Sequence, residues 1–393
     1  MARGSDTDDL AQLLSRRLDS ITSFLVMDVL EEALALERGG ENVIHLEVGE
    51  PDFPTPACIV DAMNRAIAAG HTRYTHSMGI AELREAICER YRGRYGVEVE
   101  ADQVVVTSGT SPALLLALAA LVEPGDEVIL SDPGYACYPN FVELLGGRCV
   151  FFPVSEGEGF QYDAAEVAKR ITPRTKAIMV NSPANPTGAV LEAAALREIA
   201  ALGPPVISDE IYHGLTYGIE AETMLRFTDR AFVLDGFSKR YAMTGWRLGY
   251  LVAPRPFVRP IQKLQQNLFI CANSFAQWAG IAALREAEPD VERMRATYDE
   301  RRRYLVPALR ELGFGVGFEP RGAYYVLANA RHLSTDSVAL AREILHQAKV
   351  AVAPGVDFGS NAEGYLRFSY ANSLANIEEG VARLRGYVES RRR

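Results

Sequence analysis

Seven short apolar runs recur along the middle of the chain: VVVTSG (104–109), EVILSD (127–132), CVFFPV (149–154), AIMVNSP (177–183), PVISDE (205–210), AFVLDG (231–236) and LGYLVA (248–253). Helix-length segments such as SPALLLALAALV and EAAALREIAAL lie between several of them. A strand without polar alternation has to be covered on both faces. The pattern therefore predicts an α/β fold, a mostly parallel central sheet sandwiched by helices. Ligands of such sheets lie beyond the strand ends, where loops begin. The polar residues that close each run are the ones to weigh for chemistry.

Past residue 253 the texture changes. Residues 285–312 (REAEPDVERMRATYDERRRYLVPALREL) form a long charged helical pattern, followed by the shorter strand-like pieces GVGFEP, AYYVLANA, VAVAPG and YLRFSY. This predicts a smaller α+β domain joined by a long helix. The first 50 residues hold one amphipathic helix, about 22–38 and ending at Gly39-Gly40, then IHLEVGEPDF. The expected division is an N-terminal arm over 1–50 packing on the small domain, a large domain over 51–290 and a small C-terminal domain over 291–393.

Composition narrows the class of partner. The 393 residues are 48% hydrophobic and 23% charged, ordinary for a soluble globular protein, with a formal net charge of −10. That charge argues against a nucleic acid or an anionic membrane as partner, while leaving room for a local basic pocket. The apolar stretch from Pro112 falls short of the roughly 20 residues a membrane span needs. The polar start, MARGSDTDDLAQLLSRRLDS, shows no secretory h-region. Five cysteines without a CxxC pair indicate neither a zinc site nor a disulfide framework and suit a reducing, cytoplasmic compartment.

Individually, the strand-end residues are ambiguous. Gly109, Thr110 and Ser111 sit at a strand-to-helix turn, where hydroxyls and backbone N–H groups either cap the helix or bind an anion such as phosphate. Tyr135, after a Pro-Gly turn, either packs or stacks on a planar ligand. Asn185 in MVNSPANPTGAV is held extended before Pro186, in a plain turn or with its amide aimed at a ligand. Asp209 ends a buried strand and needs a partner, or caps the next turn; Tyr212 follows three residues on. Lys239 closes AFVLDGFS at the mouth of the core, with Ser238 before it and Arg247 eight residues later. A lysine desolvated near other cations loses proton affinity and becomes a nucleophile able to form a Schiff base with an aldehyde. Arg247 offers a planar fork for phosphate. Together these groups are what pyridoxal phosphate requires.

With NSPANPTG, SDEIY and SKRYAMTGWRLGY in this order, the chain resembles the fold-type I pyridoxal-phosphate aminotransferases of the aspartate-aminotransferase-like class I/II family, from about residue 22 to the C-terminus. The resemblance implies that Lys239 carries pyridoxal 5′-phosphate as a Schiff base and later moves the proton. Asp209 would pair with the pyridine N–H, Tyr212 and Asn185 would bond the ring oxygen, and Tyr135 would stack on the ring. Gly109, Thr110, Ser111, Ser238 and Arg247 would hold the phosphate. Tyr74, in HTRYTHSMGIAELREA, matches a tyrosine that reaches the neighbouring subunit's phosphate, which implies a homodimer. Arg367, in GYLRFSYAN, matches the arginine that clamps the substrate carboxylate, and an arginine amid apolar strand residues does need an anionic partner. Gly49, in LEVGEPDFPTP, matches a glycine whose backbone lies beside that carboxylate. No metal is implied.

The implied activity is ping-pong transfer of an amino group from an L-amino acid to a 2-oxo acid. Phe24, Met27 and Tyr74 suggest an apolar pocket for neutral, apolar or aromatic donors, and no second cation can be placed there. The same cofactor residues would also serve a cysteine-S-conjugate β-lyase. A regulator's sensing domain would need a basic DNA-binding module ahead of it, and only about 20 acidic residues precede the match. Three departures from the family stand out: a shorter segment between NPTG and SDEIY, Gly236 where many relatives carry serine, and His76 and Met78 in place of prolines.

Overall fold

The computed structural model describes residues 13–391. The first twelve residues, where the expected N-terminal arm begins, lie outside the described residues. A two-residue strand, β1 (Ile44–His45), comes first. The seven apolar runs then form β2 (Val104–Thr107), β3 (Glu127–Asp132), β4 (Arg148–Pro153), β5 (Thr175–Asn181), β6 (Val206–Asp209), β7 (Ala231–Gly236) and β8 (Gly249–Val252). All seven join one sheet in the order β2-β8-β7-β6-β5-β3-β4. Its pairings are parallel except those of β8, which runs antiparallel to β2 and β7.

Successive side chains of these strands enter two different cores. Val104, Val106, Ile178, Val180, Val206 and Val233 face one, with Ile59 and Leu83 from the covering helices. Val105, Met179, Ile207, Phe232, Leu234 and Leu251 face the other, with Leu114, Leu116 and Ile261. A strand alternates faces with period two, so burial on both sides demands apolar residues throughout.

The rest of the chain builds around smaller sheets. β9 (Tyr325–Asn329), β11 (Ala353–Pro354) and β12 (Tyr365–Ser369) form an antiparallel sheet in the order β11-β12-β9, while β1 pairs in parallel with β10 (Val350–Ala351). The N-terminal helix spans Leu25–Arg38 and stops at Gly39, close to the expected bounds; its Val29 and Ala33 pack on Leu345 and Ala351. Two expectations change. The long charged pattern is preceded by a helix over Ser274–Glu286 and restarts as Glu288–Glu311, with Pro289 in the new first turn, where a missing N–H costs nothing. GVGFEP makes only a single bridge, Gly315 to Asn329, rather than a strand. Among the described residues no helix is long and apolar enough to cross a membrane.

Close backbone approach fixes where the strand ends meet. A Cβ on Gly249 would lie 2.8 Å from the carbonyl carbon of Gly109, and one on Gly236 would lie 3.1 Å from Gly249 Cα. Glycines thus press the loop after β2 against β8, and β8 against the end of β7. The same contact bears on Gly236, which stands in place of a serine: a Cβ there would lie tight against Gly249 Cα and the Leu248 carbonyl, at 3.1 Å from each.

Candidate active site

The C-terminal ends of β2, β5, β6 and β7 open on a cavity of about 320 Å³. Lys239 enters it three residues past β7, and its Nζ donates to the Gly49 carbonyl at 2.7 Å. Burial pushes the Lys239 pKa down to about 8; Arg367 and Arg247 push the same way, against Glu50 and Asp209.

Asp209 closes β6. Its Oδ2 accepts from the Tyr138 hydroxyl at 2.7 Å and its Oδ1 from the Ile211 N–H at 3.2 Å. Burial raises its pKa to about 6 in spite of these bonds, so the carboxylate stays ionised at neutral pH. The capping reading of Asp209 thus holds for one oxygen, while the other is bonded by a tyrosine from another element.

Asn185 is set by Asn181, the last residue of β5. Asn181 Oδ1 accepts from the Asn185 N–H at 2.9 Å, and Asn181 Nδ2 donates to the Asp209 carbonyl at 3.1 Å. Asn185 Oδ1 in turn accepts from Arg367 Nη1 at 2.8 Å. Arg367, 1% exposed in the middle of β12, also donates to the Glu47 carbonyl, and its Nε has no partner among the described residues. Its guanidinium lies over the rings of Tyr325 and Phe358, at 4.4 and 4.7 Å from their centres. A buried cation bonded only to neutral oxygens is poised for an external anion.

Thr110 and Ser111 line the cavity at the start of the helix Thr110–Leu121. The N-cap is Gly109, at φ 102°, and no side chain caps the helix. The first-turn N–H groups are therefore open to an anion. A Cβ on Gly109 would stand 2.7 Å from Arg247 Nη2, so the exposed Arg247 guanidinium lies directly against this turn. Ser238 is buried beside Lys239.

Tyr135 lines the cavity and packs edge-on against Phe24 and Tyr138. Phe24 and Met27 join the wall, but Tyr74 stands outside it and is 81% exposed. Met78 is packed in the second core, and His76 accepts from the Met78 N–H; neither lines the cavity.

Four residues escaped the sequence reading: Tyr138, Asn181, Tyr325 and Glu50. Tyr138 lies in the first turn of the helix Cys137–Leu144, three residues after Tyr135, and its ring packs on that of Tyr135. Asn181 closes an apolar run like the others. Tyr325 sits in AYYVLANA and looks like core. Glu50, also on the wall, is bonded by the Thr244 hydroxyl, a contact between residues far apart in sequence.

A buried amine, an ionised carboxylate, an uncapped helix start and an arginine bonded only to neutral oxygens at the strand ends of a parallel sheet suit the transfer of amino groups, and the chain belongs to the aminotransferase class I and II family, whose model matches residues 41–384. It is 41% identical over 384 residues to the (5-formylfuran-3-yl)methyl phosphate transaminase of Methanocaldococcus jannaschii, covering 96% of this chain and all of that one. The aromatic-amino-acid aminotransferase 2 of Thermococcus litoralis is 34% identical, over 96% of this chain and 99% of that one. In structure it resembles the aspartate aminotransferase of Thermus thermophilus solved with maleate, at a TM-score of 0.91 and 38% identity, over 94% of this chain and 98% of that one. The protein is an aminotransferase of this fold.

Proposed function

We propose that the cavity holds pyridoxal 5′-phosphate and that the protein moves the amino group of a neutral, apolar or aromatic L-amino acid to a 2-oxo acid in a ping-pong reaction. The observation that carries this reading is one cavity containing both a lysine of lowered proton affinity and an arginine bonded only to neutral oxygens. The residues fit the cofactor: Lys239 for its aldehyde, Asp209 for the ring nitrogen, Tyr212 and Asn185 for the ring oxygen, Tyr135 for the ring face. The open helix start with Thr110, Ser111 and Arg247 suits the phosphate, and Ser238 stands near. When bound, the cofactor supplies an electron sink for the charge left on the substrate α carbon.

The protein's own groups do the rest. Arg367 takes the substrate carboxylate as a fork, with Gly49 and Asn185 at its side, which orients the α carbon. Lys239 would serve as the general base that removes the α proton, for which a pKa of about 8 is well matched to neutral pH. Asp209 stays ionised and holds the ring nitrogen's proton in place.

Donor preference rests on the far wall. Phe24, Met27, Leu30, Leu114 and Phe141 are apolar, and among the described residues lining the cavity Lys239 and Arg367 are the cations. A second substrate carboxylate would lose water there without gaining a partner. The aromatic preference named for the Thermococcus relative agrees with this wall; the aspartate named for the Thermus relative does not. We further infer a homodimer with Tyr74 reaching the neighbouring site, a large portion over 51–290 flanked by the N-terminal arm and the small domain, and a cytoplasmic location. The free state of all five cysteines supports the last.

The test is a donor panel on cofactor-loaded protein with 2-oxoglutarate as acceptor, alongside Lys239→Ala. L-Phenylalanine and L-leucine are expected to surpass L-aspartate in kcat/KM by about tenfold or more, and Lys239→Ala should be inactive. Wild-type turnover in Lys239→Ala would sink the proposal. Pyruvate and ammonia formed from a β-substituted donor without an acceptor would assign a lyase instead.

A further inference from the structure

We propose that Tyr325 is a positioning residue: its hydroxyl donates to Tyr212 and thereby leaves the Tyr212 proton free to point at the ring oxygen of the bound cofactor. The inference rests on reading the cavity as a pyridoxal phosphate site. Tyr325 opens β9, 1% exposed, and its hydroxyl oxygen lies 2.7 Å from that of Tyr212, itself buried. Two hydroxyls at that distance share one proton along their axis, so one donates and the other accepts. If Tyr212 were the donor, its proton would be spent on Tyr325 and the ring oxygen would lose it.

The surroundings select the direction. Burial raises both phenols, but at Tyr325 the Arg367 guanidinium, 4.4 Å from the ring centre, is the chief influence opposing that rise, whereas at Tyr212 it comes behind the Tyr325 hydroxyl, which adds to burial and holds Tyr212 far above the ordinary range; Tyr325 is the less raised of the two. The more acidic hydroxyl is the better donor. The Tyr325 hydroxyl is also held in place. Gly49 stands where any Cβ would overlap it, and the Gly49 carbonyl is fixed by Lys239 Nζ and by the Tyr324 hydroxyl at 3.0 Å. Tyr325 is thus clamped between the arginine and the glycine, with Tyr212 as the acceptor within reach.

The test uses cofactor-loaded protein and follows the visible absorption band of the bound cofactor against pH. In Tyr325→Phe the Tyr212 hydroxyl keeps its proton but loses the donor that holds its oxygen and polarises that proton, so its bond to the ring oxygen weakens and the midpoint should move up by about half a pH unit. Its KM for L-phenylalanine should stay within about twofold, because the ring beneath Arg367 is retained. Tyr212→Phe should also raise the midpoint, and the double variant should match Tyr212→Phe alone, since Tyr325 acts only through Tyr212. An unchanged midpoint in Tyr325→Phe, or an additive shift in the double variant, overturns the inference alone. The absence of any visible band in loaded wild-type protein overturns the cofactor reading and the inference with it.

Discussion

Lys239 and Asp209 are two buried titratable groups pushed toward neutrality from opposite sides, to about 8 and about 6. Only the deprotonated amine attacks an aldehyde. Capture of pyridoxal phosphate by cofactor-free protein, followed by stopped-flow absorbance, should therefore accelerate up to about pH 8 and then level off. A solvated lysine would keep accelerating toward about pH 10.4. Asp209 depends on Tyr138, the donor that offsets part of its desolvation. Tyr138→Phe should raise the Asp209 pKa further and leave less carboxylate at pH 7. The cofactor dissociation constant should rise about tenfold there and recover toward the wild-type value at pH 8.5, where the carboxylate is again ionised. A defect independent of pH would mean that Tyr138 acts by packing alone.

At the scale of elements, the helix Leu25–Arg38 carries Phe24, Met27 and Leu30 to the cavity wall, yet its N-cap residue Phe24 offers no side-chain oxygen. The cap comes from the other end of the chain. Asp357 accepts from the N–H groups of Leu25 at 3.1 Å and Val26 at 3.2 Å. Asp357→Ala should cost about 1 kcal/mol of stability, seen as a lower urea midpoint. It should also raise KM for L-phenylalanine while sparing kcat, because the loosened helix bears on the donor side chain rather than on the proton transfer. An equal loss in kcat would place Asp357 in the chemistry. No sequence pattern announces this cap, since donor and acceptor are more than 300 residues apart.

At the scale of the whole molecule, the proposed homodimer bears on a set of exposed apolar residues. Tyr74, Leu268 and Ile270 are 81%, 55% and 49% exposed, on two segments joined by hydrogen bonds from the Thr75 N–H to Cys271 Sγ and from Gln277 Nε2 to the Thr75 hydroxyl. Such side chains favour burial against a second copy. Sedimentation should give twice the 43.1 kDa chain mass. Tyr74→Phe should keep that mass and weaken cofactor retention, because it removes a hydroxyl expected to reach the neighbour's phosphate. A monomer at micromolar concentration would remove Tyr74 from the site.

The sheet was legible because its strands are continuous apolar runs, and burial on both faces permits little else. The strand-end set Asn185, Asp209, Tyr212 and Lys239 was legible because a parallel sheet places such ends along one edge. GVGFEP and the break before Pro289 were misjudged because short, weakly patterned segments take their structure from neighbours. What the residues determined by themselves was the class of fold and the inventory of groups at its edge. Tertiary structure alone decided which groups touch: Tyr138 on Asp209, Tyr325 between Arg367 and Tyr212, Asp357 on a distant helix. Covalent order constrains local conformation, whereas proton affinity and hydrogen-bond direction depend on desolvation and on charges a few ångströms away, and only the folded chain sets those distances.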